Sequence, residues 1–289
     1  MTDTDRSNAD VSVSELRTIA LEVAREAGRL IVDDRPDELL VATKSTATDV
    51  VTDMDQRAQD LIVRSLADRR PHDGFLGEEE GDTHLGESGV TWVVDPIDGT
   101  VNYLYNVPAY AVSIAAVTGD PRVEGAWTPV AGAVVNPVTG EAFSAARGEG
   151  ATREDHSGRR TVLRVSSVET LDQALVATGF GYAAPRRAWQ AAVLADLLPD
   201  IRDIRRMGSA ALDLCRVAEA SVDVYYERGL HPWDLAAGWL IVTEAGGLVS
   251  GPGGGRPGEG LVVAAGNAVR DSFVMRLEQA MAACDVTSA

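Results

Sequence analysis

Apolar positions along the 289-residue chain recur in two rhythms, and the change of rhythm marks its elements. From Val13, the residues Leu16, Ile19, Ala20, Val23, Ala27, Leu30 and Ile31 fall at helical spacing behind the capping-box string Ser12-Val13-Ser14-Glu15. This predicts a long first helix ending near Asp33, ahead of Pro36. Ala58, Leu61, Ile62 and Leu66 predict a second amphipathic helix that stops before Pro71. Phe75-Leu76 reads as a short strand end, and Val90 to Val94 as a buried strand that stops at Asp95-Pro96. Tyr110 to Val117, Ala131 to Val135 and Glu141 to Ala145 are strand candidates separated by Gly and Pro turns, so an antiparallel sheet is expected to complete the first half. The polar, Gly-containing stretch Arg147 to Arg160 reads as an exposed hairpin or loop, with His156 an ordinary surface residue.

From about Thr161, strand and helix alternate more regularly. Leu175 to Thr178 is a strand, Arg186 to Leu198 a helix, and Gly208 opens an apolar helix. Val222 to Glu227 alternates as a strand, and Trp233-Asp234 opens a helix closed by Gly246-Gly247. Leu261 to Ala265 and Asn267 to Ala282 give a last strand and helix. The order predicts a layered α/β protein: a polar, disordered tail over residues 1–10, then one domain over 11–284 with subdomains of about 11–160 and 161–284.

Composition changes this picture in three ways. With 45% hydrophobic and 24% charged residues, the chain is an ordinary globular one able to bury a sizeable core. A net charge of -18 argues against nucleic acid or an anionic membrane as main partner. Cys215 and Cys284 are the only cysteines and lie far apart, which favours a reducing cytoplasm. With no apolar run of about 18 residues and no basic-then-apolar leader, neither a membrane span nor a signal peptide is expected.

The candidate chemistry centres on Trp92-Val93-Val94-Asp95-Pro96-Ile97-Asp98-Gly99-Thr100-Val101-Asn102. Asp95 and Asp98 flank a proline-led turn, so both carboxylates and the Ile97 carbonyl can point at one centre. Hard oxygen ligands of this kind suit Mg²⁺. Gly99 permits close backbone approach, and the amides of Gly99 and Thr100 can face an anion. Elsewhere single motifs carry less. Glu78-Glu79-Glu80 after Gly77 is by itself a solvated acidic run. Asp55, three residues after Thr52, fits the acidic N3 position of a helix start. Gly208-Ser209-Ala210-Ala211 either offers free amides to a ligand or packs helices closely. Asp234 fits an N-cap, and His231 has no second ligand at metal spacing, so it reads as structural.

Taken together, Gly77-Glu78-Glu79, the D-P-I-D-G-T-x-N string, Gly208-Ser209-Ala210-Ala211 and Trp233-Asp234-Leu235-Ala236-Ala237-Gly238 resemble the inositol monophosphatase family in order and spacing, over roughly Val13 to Ala280. The resemblance implies an αβαβα sandwich of the inositol monophosphatase and fructose-1,6-bisphosphatase-like type. It also implies a phosphomonoesterase using two or three Mg²⁺ ions. Glu78, Asp95 and the Ile97 carbonyl would hold one ion; Asp95, Asp98 and Asp234 a second; and a third, weaker ion would lie near Glu78. Water activated by metal, positioned by Thr100 and Glu78 with Asp55 behind Thr100, would attack in line. Bound Mg²⁺ would let a phosphate ester approach an acidic protein. Lys44 belongs to a K-S-x-x-D-x-V-T-like mobile loop expected to fold over the site, or is a plain exposed lysine.

On the substrate side, the resemblance assigns Asp98, Gly99, Thr100, Gly208, Ser209, Ala210, Glu227 and Asp234, with Glu227 bonding inositol hydroxyls. Glu227 as an exposed strand-end carboxylate is the alternative. Inositol-1-phosphate is the expected substrate, histidinol phosphate the second choice, and a non-catalytic regulatory role the reading from another class. Homodimer formation and inhibition by Li⁺ are further implications of the resemblance.

Overall fold

The computed structural model describes residues 12–36, 41–43, 50–81 and 83–287; the polar tail at 1–10 and Lys44 lie outside them. The first half runs α1 (Val13–Asp33), β1 (Val41–Thr43), β2 (Val50–Thr52), α2 (Asp53–Arg69), β3 (Gly74–Gly77), β4 (Val90–Asp98), α3 (Thr100–Leu104), β5 (Ala111–Gly119), β6 (Trp127–Asn136), β7 (Glu141–Ala146), β8 (Ala151–Glu154) and β9 (Arg160–Val162). The second half runs β10 (Leu175–Thr178), α4 (Ala184–Leu197), β11 (Asp203–Arg205), α5 (Ala210–Ala218), β12 (Val224–Glu227), α6 (Pro232–Glu244), β13 (Leu248–Ser250), β14 (Val262–Ala265) and α7 (Asn267–Thr287).

Strands β3 to β9 form one sheet in chain order, antiparallel except for the parallel β3–β4 pair. The second sheet has the order β11-β10-β12-β14-β13. Period-two alternation explains how the first sheet is covered on both faces. Trp92, Val94, Val112 and Ile114 pack toward α1 and α2, while Val93, Ala115 and Phe143 pack toward α5 and α6. The outer face of the second sheet carries Val224, Tyr226 and Val263 against α4 and α7. The layers are therefore helix, sheet, helix, sheet, helix: a mixed α/β sandwich, as expected. Among the described residues, no helix is long and apolar enough to cross a membrane.

The structure corrects four local readings. Strand β4 does not stop at Asp95 but runs to Asp98, pairing Asp95 with Ser113 and Asp98 with Ala111 across an irregularity. Pro96, which has no N–H for the ladder, sits in that bulge, so the strand bends instead of ending. Arg147 to Arg160 holds the hairpin expected as one of two readings, β8 turning back to pair with β9, but it is not exposed throughout, because Ala151 is buried. The polar pattern Thr-Arg-Glu leaves hairpin and loop both open, and ion pairs such as Arg25–Glu154 and Arg153–Glu219 hold it. The last helix continues to Thr287, beyond the expected Ala282. Finally, α6 opens at Pro232 with His231 as N-cap, so Asp234 is the third helical residue and not the cap.

Candidate active site

The bulge in β4 sets the geometry of the site. Asp95 is 1% exposed, and its Oδ1 accepts from the Ile97 N–H at 3.0 Å, which folds the turn around Pro96. Gly99 follows at φ 98°, a left-handed conformation that a side chain would strain. A Cβ there would also come within 3.0 Å of the Ala109 and Gly208 carbonyl oxygens. From this kink α3 starts with Thr100, whose hydroxyl lies 3.2 Å from the Ile97 oxygen and 3.4 Å from Asp55 Oδ1.

Asp55 is 0% exposed, on the first turn of α2. Its Oδ2 accepts the Thr52 N–H at 2.8 Å and the Thr52 hydroxyl at 2.5 Å. Both readings of this residue hold: it caps a helix and it backs Thr100. Glu78 follows β3, with its N–H donating to the Val94 oxygen at 3.1 Å, and it borders the same cavity as Asp95.

Asp98 is 7% exposed and is held from the other half of the chain. Ser209 Oγ donates to it at 2.5 Å, the Ala211 N–H at 2.7 Å and the Ala210 N–H at 3.3 Å. The Gly208 turn therefore does not offer these amides to a ligand, as one reading of the sequence had it. It spends them on Asp98, at the positive end of α5. Asp234 is anchored by the His231 N–H at 2.7 Å, and the His231 ring stacks on Trp233 at 4.9 Å between centroids. His231 is thus structural.

Asp95, Asp98 and Asp234 each present a carboxylate oxygen within 4.8 Å of the others. Burial pushes Asp95 well above the usual carboxylate range, reinforced by the charges of Glu78, Asp98 and Asp234. Asp234 is pushed up for the same reasons, first by burial and then by Asp98 and Glu78. Asp98 rises to about 6 through burial, opposed by the Ser209 and Ala211 hydrogen bonds. Among the described residues, none of these three carboxylates has an arginine or lysine ion-pair partner. Buried, mutually repelling oxygen donors with no such partner among the described residues fit a hard divalent ion such as Mg²⁺.

One cavity of about 440 Å³ joins this cluster to the second half. It is lined by Glu78, Asp95, Ile97, Asp98, Gly99, Thr100, Gly208, Ser209, Ala210, Glu227 and Asp234, so every described site residue expected from the sequence borders it except Asp55, which stands behind Thr100. Glu227 lies at the end of β12, where Tyr225 donates its hydroxyl to Oε2 at 2.6 Å. Its carboxylate is pressed onto Gly179, where a Cβ would lie only 1.9 Å from Oε2. Burial pushes Glu227 up to about 7, countered by Tyr225 and Arg206.

Several further lining residues escaped the sequence reading, among them Asp213, Arg186 and Arg206. Asp213 is 2% exposed on α5, and its Oδ1 has no hydrogen-bond partner among the described residues. Burial and the nearby Glu227 and Asp98 raise its carboxyl well above the usual range. The sequence held one pointer to it, the helical spacing of four from Ser209. Arg186 is an exposed residue of the first turn of α4 and Arg206 follows β11; neither carried a sequence signal for the site.

Residues 12–287 match the model of the inositol monophosphatase family. The chain is 45% identical over 286 residues to an inositol-1-monophosphatase of Mycobacterium leprae, covering 93% of this chain and 96% of the relative. It is 40% identical over 240 residues to the Nus factor SuhB of Escherichia coli, covering 82% and 85%. The solved structure of Mycobacterium tuberculosis SuhB superposes with a TM-score of 0.76 at 41% identity, over 94% of this chain and 98% of that one. A Thermotoga maritima IMPase superposes with a TM-score of 0.80 at 27% identity, over 92% and 98%.

Proposed function

The chain belongs to the inositol monophosphatase family and is a phosphatase, and from that premise we propose that it hydrolyses inositol-1-phosphate to inositol and phosphate with Mg²⁺. The observation that carries the reading is the single cavity with three clustered aspartates at one end and Glu227 at the other. Glu78, Asp95 and the Ile97 carbonyl would hold one Mg²⁺, and Asp95, Asp98 and Asp234 another, with Asp95 shared and a third, weaker position beside Glu78. Bound there, Mg²⁺ supplies a lowered water pKa and positive charge for the phosphate and leaving oxygens.

The chain's own groups do the rest. The Thr100 hydroxyl and the Glu78 carboxylate orient the attacking water, and Glu78 accepts its proton. Asp55 fixes the Thr100 rotamer through the 3.4 Å contact. Displacement then runs in line, without a phospho-enzyme. Ser209, Ala210 and Ala211 hold Asp98 still, while Glu227, with Tyr225 on one oxygen, accepts hydroxyls of the alcohol. Lys44 is assigned to a loop over the site, and the active form to a Li⁺-sensitive, cytoplasmic homodimer.

Glu227, a carboxylate acceptor for hydroxyls on the cavity lining, supports a polyol as the alcohol, with histidinol phosphate the second choice. A binding role alongside turnover is favoured by the relatives named Nus factor. Phosphate release from inositol-1-phosphate, histidinol phosphate and fructose-1,6-bisphosphate at equal concentration tests the substrate. Preference for histidinol phosphate overturns the choice of alcohol, and no release from any of the three overturns turnover as the function.

A further inference from the structure

Glu78 stands in a run of three glutamates, and such a run left to itself would repel into solvent. What restrains it is Gln59, a residue of α2 that is 2% exposed. The side-chain amide of Gln59 grips the backbone just after Glu78 from two sides. Oε1 accepts the Glu79 N–H at 2.9 Å, while Nε2 donates to the Glu79 oxygen at 3.0 Å and to the Glu80 oxygen at 3.4 Å. Just before Glu78, Gly77 lies under the same amide: a Cβ there would fall 2.2 Å from Gln59 Oε1. Glu78 is thus bracketed by the two residues that Gln59 touches, and its own N–H is tied to the Val94 oxygen.

Gln59 is also four residues beyond Asp55, on the same face of α2. One turn of that face backs Thr100 and the next fixes the backbone that carries Glu78. A single rigid helix therefore supports both groups that orient the water.

We propose that Gln59 is a positioning residue that holds the Glu78 carboxylate in place for the metal, and thereby sets the affinity of that metal position. This rests on the reading of Glu78 and Asp95 as metal ligands. Residues that hold a ligand from outside the coordination sphere are commonly worth 10- to 100-fold in metal affinity, so about tenfold is expected here.

The test is Mn²⁺ binding to the metal-free chain, followed by the free-ion electron paramagnetic resonance signal, for the unmodified protein and for Gln59→Met, Gln59→Glu, Gln59→Ala, Gly77→Ala, the double variant of the last two, and Asp95→Asn. Gln59→Met keeps the shape and removes the amide. Gln59→Glu keeps the acceptor for the Glu79 N–H but faces the two carbonyls with a carboxylate. Both are expected to weaken Mn²⁺ binding by about tenfold and to raise the half-saturating Mg²⁺ for phosphate release, with the KM for ester at saturating Mg²⁺ unchanged. Gly77→Ala displaces the amide from the other side and is expected to act in the same direction. Combined with Gln59→Ala it adds nothing further, because both changes break one contact. Mn²⁺ affinity equal to that of the unmodified chain in Gln59→Met or Gly77→Ala, or fully additive losses in the double variant, overturns the proposal. Asp95→Asn separates the two levels: if it binds Mn²⁺ normally, the metal reading itself fails, whatever Gln59 does.

Discussion

The two ends of the cavity differ in burial, in charge and in what holds their side chains. At the metal end, Asp95, Asp98 and Asp234 come from the β4 bulge and the first turn of α6, and each is tied by an N–H or hydroxyl between 2.5 and 3.0 Å. Backbone N–H groups tie Asp95 and Asp234, and a hydroxyl with two backbone N–H groups ties Asp98. At the other end, among the described residues, Glu227 is tied only by the Tyr225 hydroxyl, and the exposed Arg186 and Arg206 line the cavity beside it. On the proposed function, chemistry that needs atoms held within a fraction of an ångström sits on the rigid layers, while choice of alcohol sits where side chains can change without disturbing them. Asp98 links the ends, because strand β4 of the first half carries it and helix α5 of the second half holds it.

The contrast breaks most sharply at Asp95. Asp95→Asn is expected to cost about a thousandfold or more in phosphate release from any ester, since several kcal/mol of charge stabilisation are lost. The same change removes a charge from a repelling cluster, so the metal-free variant is expected to melt at a higher temperature than the unmodified metal-free chain. A lower melting temperature would show that the cluster is not under charge strain.

Ser209→Ala tests the link between the ends. It removes a 2.5 Å hydrogen bond to a carboxylate, worth about 2 kcal/mol, or roughly thirtyfold in turnover at limiting Mg²⁺. An unchanged Mg²⁺ requirement in this variant would mean that the two backbone amides hold Asp98 unaided.

Glu227→Gln is expected to raise the KM for inositol-1-phosphate about tenfold and to leave an aryl phosphate untouched, a difference of one hydrogen bond to a charged group. Equal effects on both esters would remove Glu227 from alcohol recognition.

The smallest effect is on stability against pH. Glu227 at about 7 and Asp98 at about 6 are both raised above their unfolded values, so the folded chain binds protons more tightly than the unfolded one. Their stabilisation is complete below the ordinary carboxylate range and is lost as pH rises through about 6 to 7. The melting temperature of the metal-free chain is expected to fall between pH 4.5 and 7, and Mg²⁺ to offset the fall at neutral pH. A metal-free melting temperature that rises over this window would reverse the sign of both shifts.

Part of the acidic cluster was legible because its pieces are local: Asp95, Ile97 and Asp98 share one turn, whereas Asp234 entered only through the family resemblance. From its own surroundings Asp234 reads as an N-cap, but Pro232 opens α6 and moves the cap three residues back to His231. What the chain does not write locally is who holds whom. The small-residue turn at Gly208 leaves free amides and close helix packing both open until Asp98 is seen filling it, and nothing local in the sequence singles out Gln59 before its backbone partners are in view. Strands β11 and β13 were missed for another reason: at three residues each they are too short to set up a period of two.

The account stands most directly on metal dependence. The decisive measurement is phosphate release from inositol-1-phosphate by the chain stripped with EDTA and then titrated with Mg²⁺. The account predicts no release after stripping and full recovery with Mg²⁺. Release that persists undiminished in EDTA would contradict it.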